Sequence, residues 1–379
     1  MKPEAPTYVE PTTEASSPRP SPAPQKQAKM RLAFVHSPAL VRYMMVLVIT
    51  AFVTAILATA LMIGLHGVIS DAPNSKPTAG KPSGDANATY PFADGAEGVA
   101  LIPWAENVTV IPVESIAAEH AALADLSSGQ IIASRKADDI IYPASMTKVM
   151  TLIVAVENLK NESSLKDTVT ISQEVYNEMR AQESSGVGFE AGEQLTVEAL
   201  LYALILKSDG IAACELARYV AGSEEAFVAL MNQKAAQMGL THTHFENPTG
   251  LHHENHKSTS REIASIMAYA MKMKLCRQVL TAKSYTAPCV GADGKSFKYD
   301  FYHKLLVELF EATPSHQPAA VSVIAGKTGY TDEGRFCLVT YAETPNGHAY
   351  VCVTAKAETK NYAACITDYL TIYNTYAKP

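Results

Sequence analysis

The chain has 379 residues, 47% hydrophobic and 18% charged, with a net charge of -7. That is enough material for a sizeable core in one or two domains. Residues 1–42 hold six Lys/Arg against three Glu, which leaves a net -10 for the rest of the chain and argues against nucleic acid as a partner.

The first thirty residues are rich in Pro, Ser, Thr, Ala and Gln, a composition that cannot build a core. Residues 1–42 are read as a disordered tail. Tyr43 to Leu65, "YMMVLVITAFVTAILATALMIGL", follows without a formal charge over 23 residues. At about 1.5 Å per residue it spans a bilayer core of roughly 30 Å. A buried core helix is the other reading, but the run is long for one. Positive charge before the span places the tail in the cytoplasm and the chain after it outside. "ATA" at 58–60 leaves signal cleavage open, although the preceding segment is too long for an n-region. Residues 66–103 are read as a flexible linker, and residues 104–379 as one folded domain.

Within that domain Ala117–Lys136 reads as two strands joined at Ser127–Gly129. Ser145–Leu159 has the stripe of an apolar helix. Thr196–Ser208 and Gly210–Gly222 read as two helices broken at Ser208–Gly210. Ser223–Leu240 is a further helix, with Ser223 as N-cap and Gly239 as its stop, and Thr259–Met273 the next. The chain then turns β-rich in Ala319–Thr331, Arg335–Thr344 and His348–Ala357, with "TPNGH" as a hairpin turn. Asn361–Ala377 closes it as a helix. An early strand pair and a late strand group around a helical block imply an antiparallel sheet packed on helices.

Three short motifs carry chemistry. In "YPASMTKVMT" Ser145 and Lys148 share one face of a helical turn. A serine hydroxyl is a weak nucleophile until a base takes its proton. A lysine serves as that base only when neutral, through burial or a neighbouring positive charge. In "KSDG" Ser208 sits at the break between two apolar helices, where a loop projects a hydroxyl into a cleft. In "GKTGYT" Lys327, Thr328 and Gly329 follow a strand-like run and offer a charge, a hydroxyl and close approach at a strand edge.

Taken together and in this order, S-x-x-K, S-D-x and K-T-G match the set found in β-lactamases and penicillin-binding proteins. With "MNQKAAQMGLTHTHFENPTGL", "STSREIAS" and "GKTGYTDEGRFCLV", the chain over roughly residues 115–375 resembles the D-alanyl-D-alanine carboxypeptidases. The resemblance implies an α+β, β-lactamase/transpeptidase-like fold, with a five-stranded antiparallel sheet packed against helices; the one transmembrane helix that precedes it is read from the apolar run Tyr43–Leu65. It implies an acyl-enzyme at Ser145, Lys148 as base, Ser208 as proton relay and Lys327, Thr328 and Gly329 at the substrate carboxylate. The backbone N–H groups of Ser145 and Tyr330 would form the oxyanion hole. The implied partners are peptidoglycan stem peptides and β-lactam antibiotics, outside the membrane and without a cofactor. D,D-endopeptidase or β-lactamase activity, or a penicillin-binding sensor of low turnover, are the alternatives.

One position departs from the pattern. The family has S-x-N, and here the third residue is Gly210, which has no amide to offer. Asn247 is a candidate substitute, and Gly210→Asn is expected to raise turnover. Two other features carry a quieter reading. His242, His244, His252, His253 and His256 crowd one segment, but without H-E-x-x-H they read as a loop rather than a metal site. The six cysteines lack a C-x-x-C pair, and several lie in apolar runs as small buried hydrophobes. Trp104 is expected to pack at the start of the domain.

Overall fold

The computed structural model describes residues 100–311, 315, 317–358 and 363–378. The tail, the apolar segment Tyr43–Leu65 and most of the linker lie outside the described residues. Among the described residues no helix is long and apolar enough to cross a membrane.

In chain order, β1 (Trp104–Val110), β2 (Ala118–Asp125) and β3 (Gln130–Arg135) come first. A 3₁₀ turn, Ala144–Thr147, leads into α1 (Lys148–Glu157). Then follow β4 (Thr168–Thr170), α2 (Gln173–Ala181), β5 (Gln194–Thr196), α3 (Val197–Leu206), α4 (Gly210–Ala221) and α5 (Glu224–Gln237). Next are α6 (Ser260–Lys272), α7 (Lys274–Thr281), β6 (Ser284–Val290), β7 (Ser296–Tyr302) and a π-helical turn, Lys304–Glu311. The chain finishes with β8 (Ser322–Thr331), β9 (Arg335–Glu343), β10 (Ala349–Ala357) and α8 (Ala363–Tyr376).

The main sheet runs β1-β3-β2-β10-β9-β8. Its β3-β2-β10-β9-β8 part is antiparallel throughout, as the resemblance implies. The sixth strand, β1, corrects the expected count. It pairs parallel to β3, with its register broken between Trp104 and Thr109. Most of its residues are exposed, so it carries no apolar alternation by which a strand is recognised. Trp104 is 36% exposed on this edge, with the Arg261 guanidinium 4.9 Å from its ring centre.

Alternate residues of the central strands go to opposite cores. Ala122, Ala124, Val351 and Val353 join the core shared with the helical block. Ala121, Leu123, Tyr350 and Cys352 join the core under α8, with Ile366, Tyr369, Ile372 and Tyr373. A sheet buried on both faces needs nearly continuous apolar strands, and "HAALA" and "YVCV" supply them. Asp368 of α8 ties the layers by accepting from the N–H groups of Ala117 at 2.7 Å and Ala118 at 2.8 Å.

The helical block is centred on α1, every residue of which is buried, Lys148 and Glu157 included. Ser172, Thr196, Asp209, Ser223 and Thr259 cap their helices by accepting a backbone N–H with the side chain. The six cysteines are free and buried. A second sheet, β4-β5-β6-β7, is the larger difference from the sequence reading. β4 and β5 have three residues each, too few to show a period of two. The β6–β7 hairpin is held by aromatic rings, Phe189 lying 5.2 Å from Tyr299 and 6.2 Å from Phe301.

Candidate active site

The serine of the first motif stands in the 3₁₀ turn that opens α1. In such a turn side chains at i and i+3 eclipse one another, so Lys148 lies directly behind Ser145. Its Nζ is 3.1 Å from Ser145 Oγ and donates to the carbonyl oxygen of Thr249 at 2.6 Å. Lys148 is 2% exposed. Burial lowers it to about 8, against the opposing pull of the Asp209 carboxylate and of Cys214. Burial is the largest cause. With one amine hydrogen committed to Thr249, the lone pair of the neutral form is free to accept from the serine hydroxyl. Ala144, immediately before the serine, has φ +48°, a strained backbone of the kind found at functional turns.

The Thr249 carbonyl is presented by a tight turn built on Asn247. Its Oδ1 accepts from Gly250 N at 2.7 Å, Thr249 Oγ1 at 2.8 Å and Thr249 N at 3.2 Å, and its Nδ2 donates to Leu251 O at 3.0 Å. Asn247 is therefore spent inside its own turn and does not replace the amide missing at Gly210. It organises the backbone that holds Lys148. The "ENPTGL" segment was legible as a family feature, but only the fold shows its carbonyl meeting the amine.

The second motif lies where α3 gives way to α4. Ser208 has φ +57°, and its Oγ accepts from Lys327 Nζ at 2.8 Å. Lys327 also donates to the Thr328 carbonyl at 2.8 Å. It is buried, and desolvation, then the nearby Lys148 and Lys304, push it well below the usual lysine value.

The third motif runs along β8, which pairs only with β9 and forms the free edge of the main sheet. Ser145, Lys148, Ser208, Thr328, Gly329 and Tyr330 line a single cleft of about 370 Å³. Lys327 sits behind that wall and reaches the cleft through Ser208. The residues of the three motifs therefore converge.

Among the lining groups not singled out are the Thr249 carbonyl, Lys304 and the Glu183–Ser185 segment. No motif in the sequence marks Lys304 or the Glu183–Ser185 segment. The histidines turn to different partners, with His244 and His253 both facing Glu246. His256 is buried against Thr147 Oγ1 at 2.8 Å and pushed down to about 3, chiefly by desolvation. His244 and His252 face Glu246 and Glu333 at 3.2 and 3.6 Å. Among the described residues no group of three or more His, Cys, Asp or Glu is arranged to hold a metal ion.

The arrangement offers an activatable hydroxyl, a half-neutral amine near pH 8, a second hydroxyl on a buried lysine, and a strand edge for an extended ligand. Comparison with known proteins agrees. Residues 106–359 match the family described as D-alanyl-D-alanine carboxypeptidase. The D-alanyl-D-alanine carboxypeptidase DacF of Bacillus subtilis is 30% identical over 67% of this chain and 61% of its own length. DacC of Escherichia coli is 36% identical over 41% of this chain and 39% of its own. The chain thus spans less than two thirds of the length of these relatives. The crystal structure of the Streptomyces K15 DD-transpeptidase superposes with a TM-score of 0.61 at 27% identity, over 70% of this chain and 98% of that one.

Proposed function

This chain belongs to the D-alanyl-D-alanine carboxypeptidase family, and from that premise we propose that it removes the terminal D-alanine from peptidoglycan stem peptides through an acyl-enzyme at Ser145. β-Lactams acylate the same serine. The observation that carries this reading is the 3.1 Å approach of a buried lysine amine to the serine hydroxyl.

Neutral Lys148 takes the proton of Ser145 as Oγ attacks the carbonyl carbon of the penultimate D-alanine. The oxyanion is received by the N–H groups of Ser145 and Tyr330, each donor being worth about 3–4 kcal/mol. On collapse the C–N bond breaks, and the departing amine takes a proton delivered through Ser208. Lys327 and Thr328 receive the carboxylate of the leaving D-alanine. In the free enzyme burial and Lys148 hold Lys327 well below its usual value. A carboxylate placed against it favours the charged form. Water then attacks the ester, with Lys148 as base, and frees Ser145.

The N-terminal span Tyr43–Leu65 tethers this domain to the outer face of the membrane, with residues 1–42 in the cytoplasm. The support is the charge asymmetry of the sequence.

The test is release of D-alanine from a D-Ala-D-Ala-terminated peptide. The wild type should release it and Ser145→Ala should not. Penicillin labelling without release would favour the sensor reading instead.

A further inference from the structure

The cleft has a wall that the three motifs do not account for, the loop from Glu183 to Gly188 after α2. Every anchor of this loop leads to the ends of its own helix or to the two residues after Ser208. Ser184 N donates to Met179 O at 2.9 Å, and Gly210 N donates to Ser185 O at 3.0 Å. Val187 N donates to Asp209 Oδ2 at 2.6 Å, while Asp209 Oδ1 caps α4 through Ala212 N at 2.7 Å. Asp209 is fully buried. The middle residue of S-D-G is thus a clamp, holding a helix start with one oxygen and the loop with the other.

The third residue completes the arrangement. A Cβ built on Gly210 would lie 2.0 Å from Ser184 Oγ and 3.0 Å from Ser184 Cβ. The Ser184 hydroxyl occupies the space into which a side chain at 210 would project. Ser184 lines the cleft together with Ser145, Lys148 and Ser208. Among the described residues its Oγ makes one hydrogen bond, a long one of 3.5 Å to the Ser185 carbonyl. Its stronger hydrogen-bonding capacity is left for a ligand.

The chemistry of the substrate says which group it meets. The leaving D-alanine carries one polar group besides its amine, the carboxylate, and Lys327 and Thr328 take that. The remaining amides all lie on the acyl side. An extended acyl chain on the edge of β8 presents amide groups toward the rest of the cleft. We propose that Ser184 hydrogen-bonds an acyl-side amide of the substrate, and that Asp209 and Gly210 serve to seat it there. This rests on the peptidase reading and places a substrate-binding residue within it. It also reverses the expected effect of Gly210→Asn. An asparagine at 210 collides with Ser184 instead of supplying a missing contact.

The test compares acylation by two β-lactams. Benzylpenicillin carries an acyl-side amide; 6-aminopenicillanic acid has a bare amine there. Ser184→Ala should slow acylation by benzylpenicillin about 3- to 10-fold, the loss of one neutral hydrogen bond. It should leave 6-aminopenicillanic acid within about twofold and the melting temperature unchanged. Gly210→Asn alone should slow benzylpenicillin, and adding Ser184→Gly, which removes the 2.0 Å collision and leaves only Met179 Sδ at 3.0 Å to give way, should recover rate. Equal losses with both β-lactams, no loss with either, or a double variant no faster than Gly210→Asn would overturn the assignment. A wild type acylated by neither compound overturns the peptidase reading and takes the assignment with it.

Discussion

Substituting Gly329 by alanine perturbs the junction between β8 and the nucleophile turn without removing any functional group. A Cβ at 329 would lie 3.0 Å from Ser145 N, 3.1 Å from Ala144 Cβ and 3.1 Å from the Pro143 carbonyl oxygen, where ordinary contact begins at 3.4 Å. All three atoms belong to one buried turn, with its backbone fixed by Pro143 and by the strained Ala144. The turn cannot yield atom by atom, so strand and turn must separate together by a few tenths of an ångström. Ser145 N and Tyr330 N, the proposed oxyanion donors, lie on the two sides of that seam. A misplacement of about 1 Å costs on the order of 100-fold, so a third to half of that costs about 5- to 10-fold. Gly329 does not have a positive φ, so the backbone tolerates alanine and the fold should hold. The assay is the second-order rate of labelling by a fluorescent penicillin, with a thermal melt as control. Labelling at the wild-type rate in a normally folded protein would refute the reasoning.

Four further outcomes follow from the same geometry. Acylation requires neutral Lys148, which burial lowers to about 8. The rate should climb about tenfold per pH unit below that value and level off above it; a rate flat from pH 6 to 9 would contradict the assignment. Lys148→Arg, which cannot be neutral, should lose at least about 100-fold. Lys327→Ala should lower kcat/KM on a D-Ala-D-Ala peptide about 10- to 100-fold but act weakly on the C-terminal amide of the same peptide, and equal losses on both would remove it from the carboxylate site. Asp368→Ala strands the N–H groups of Ala117 and Ala118 at the start of β2. It should cost about 2–4 kcal/mol in denaturant titration, with labelling by penicillin preserved in the folded protein.

Much of this was legible in the sequence, for physical reasons. Helices with a buried stripe or a fully buried circumference announce themselves by period and caps, and α3 to α6 fall close to the expected positions. The central strands show as continuous apolar runs because both their faces are buried. β4 and β5 were not legible because three residues establish no pattern. β1 was missed because an exposed edge strand has little to bury. At the site, Ser145, Lys148, Ser208 and Lys327 were found because their chemistry depends on residue type. What the sequence hid was everything that acts through backbone or position. The Thr249 carbonyl has no residue signature, Asn247 turns its amide inward, and Ser184 is an ordinary serine until the fold brings it over Gly210.

The central claim is that Ser145 is an activated nucleophile. The most direct measurement is the intact mass of the protein after treatment with benzylpenicillin. The wild type should gain one penicilloyl group, recovered on the peptide containing Ser145, and Ser145→Ala should gain none. A wild type of unchanged mass, or an adduct that persists in the alanine variant, would contradict it.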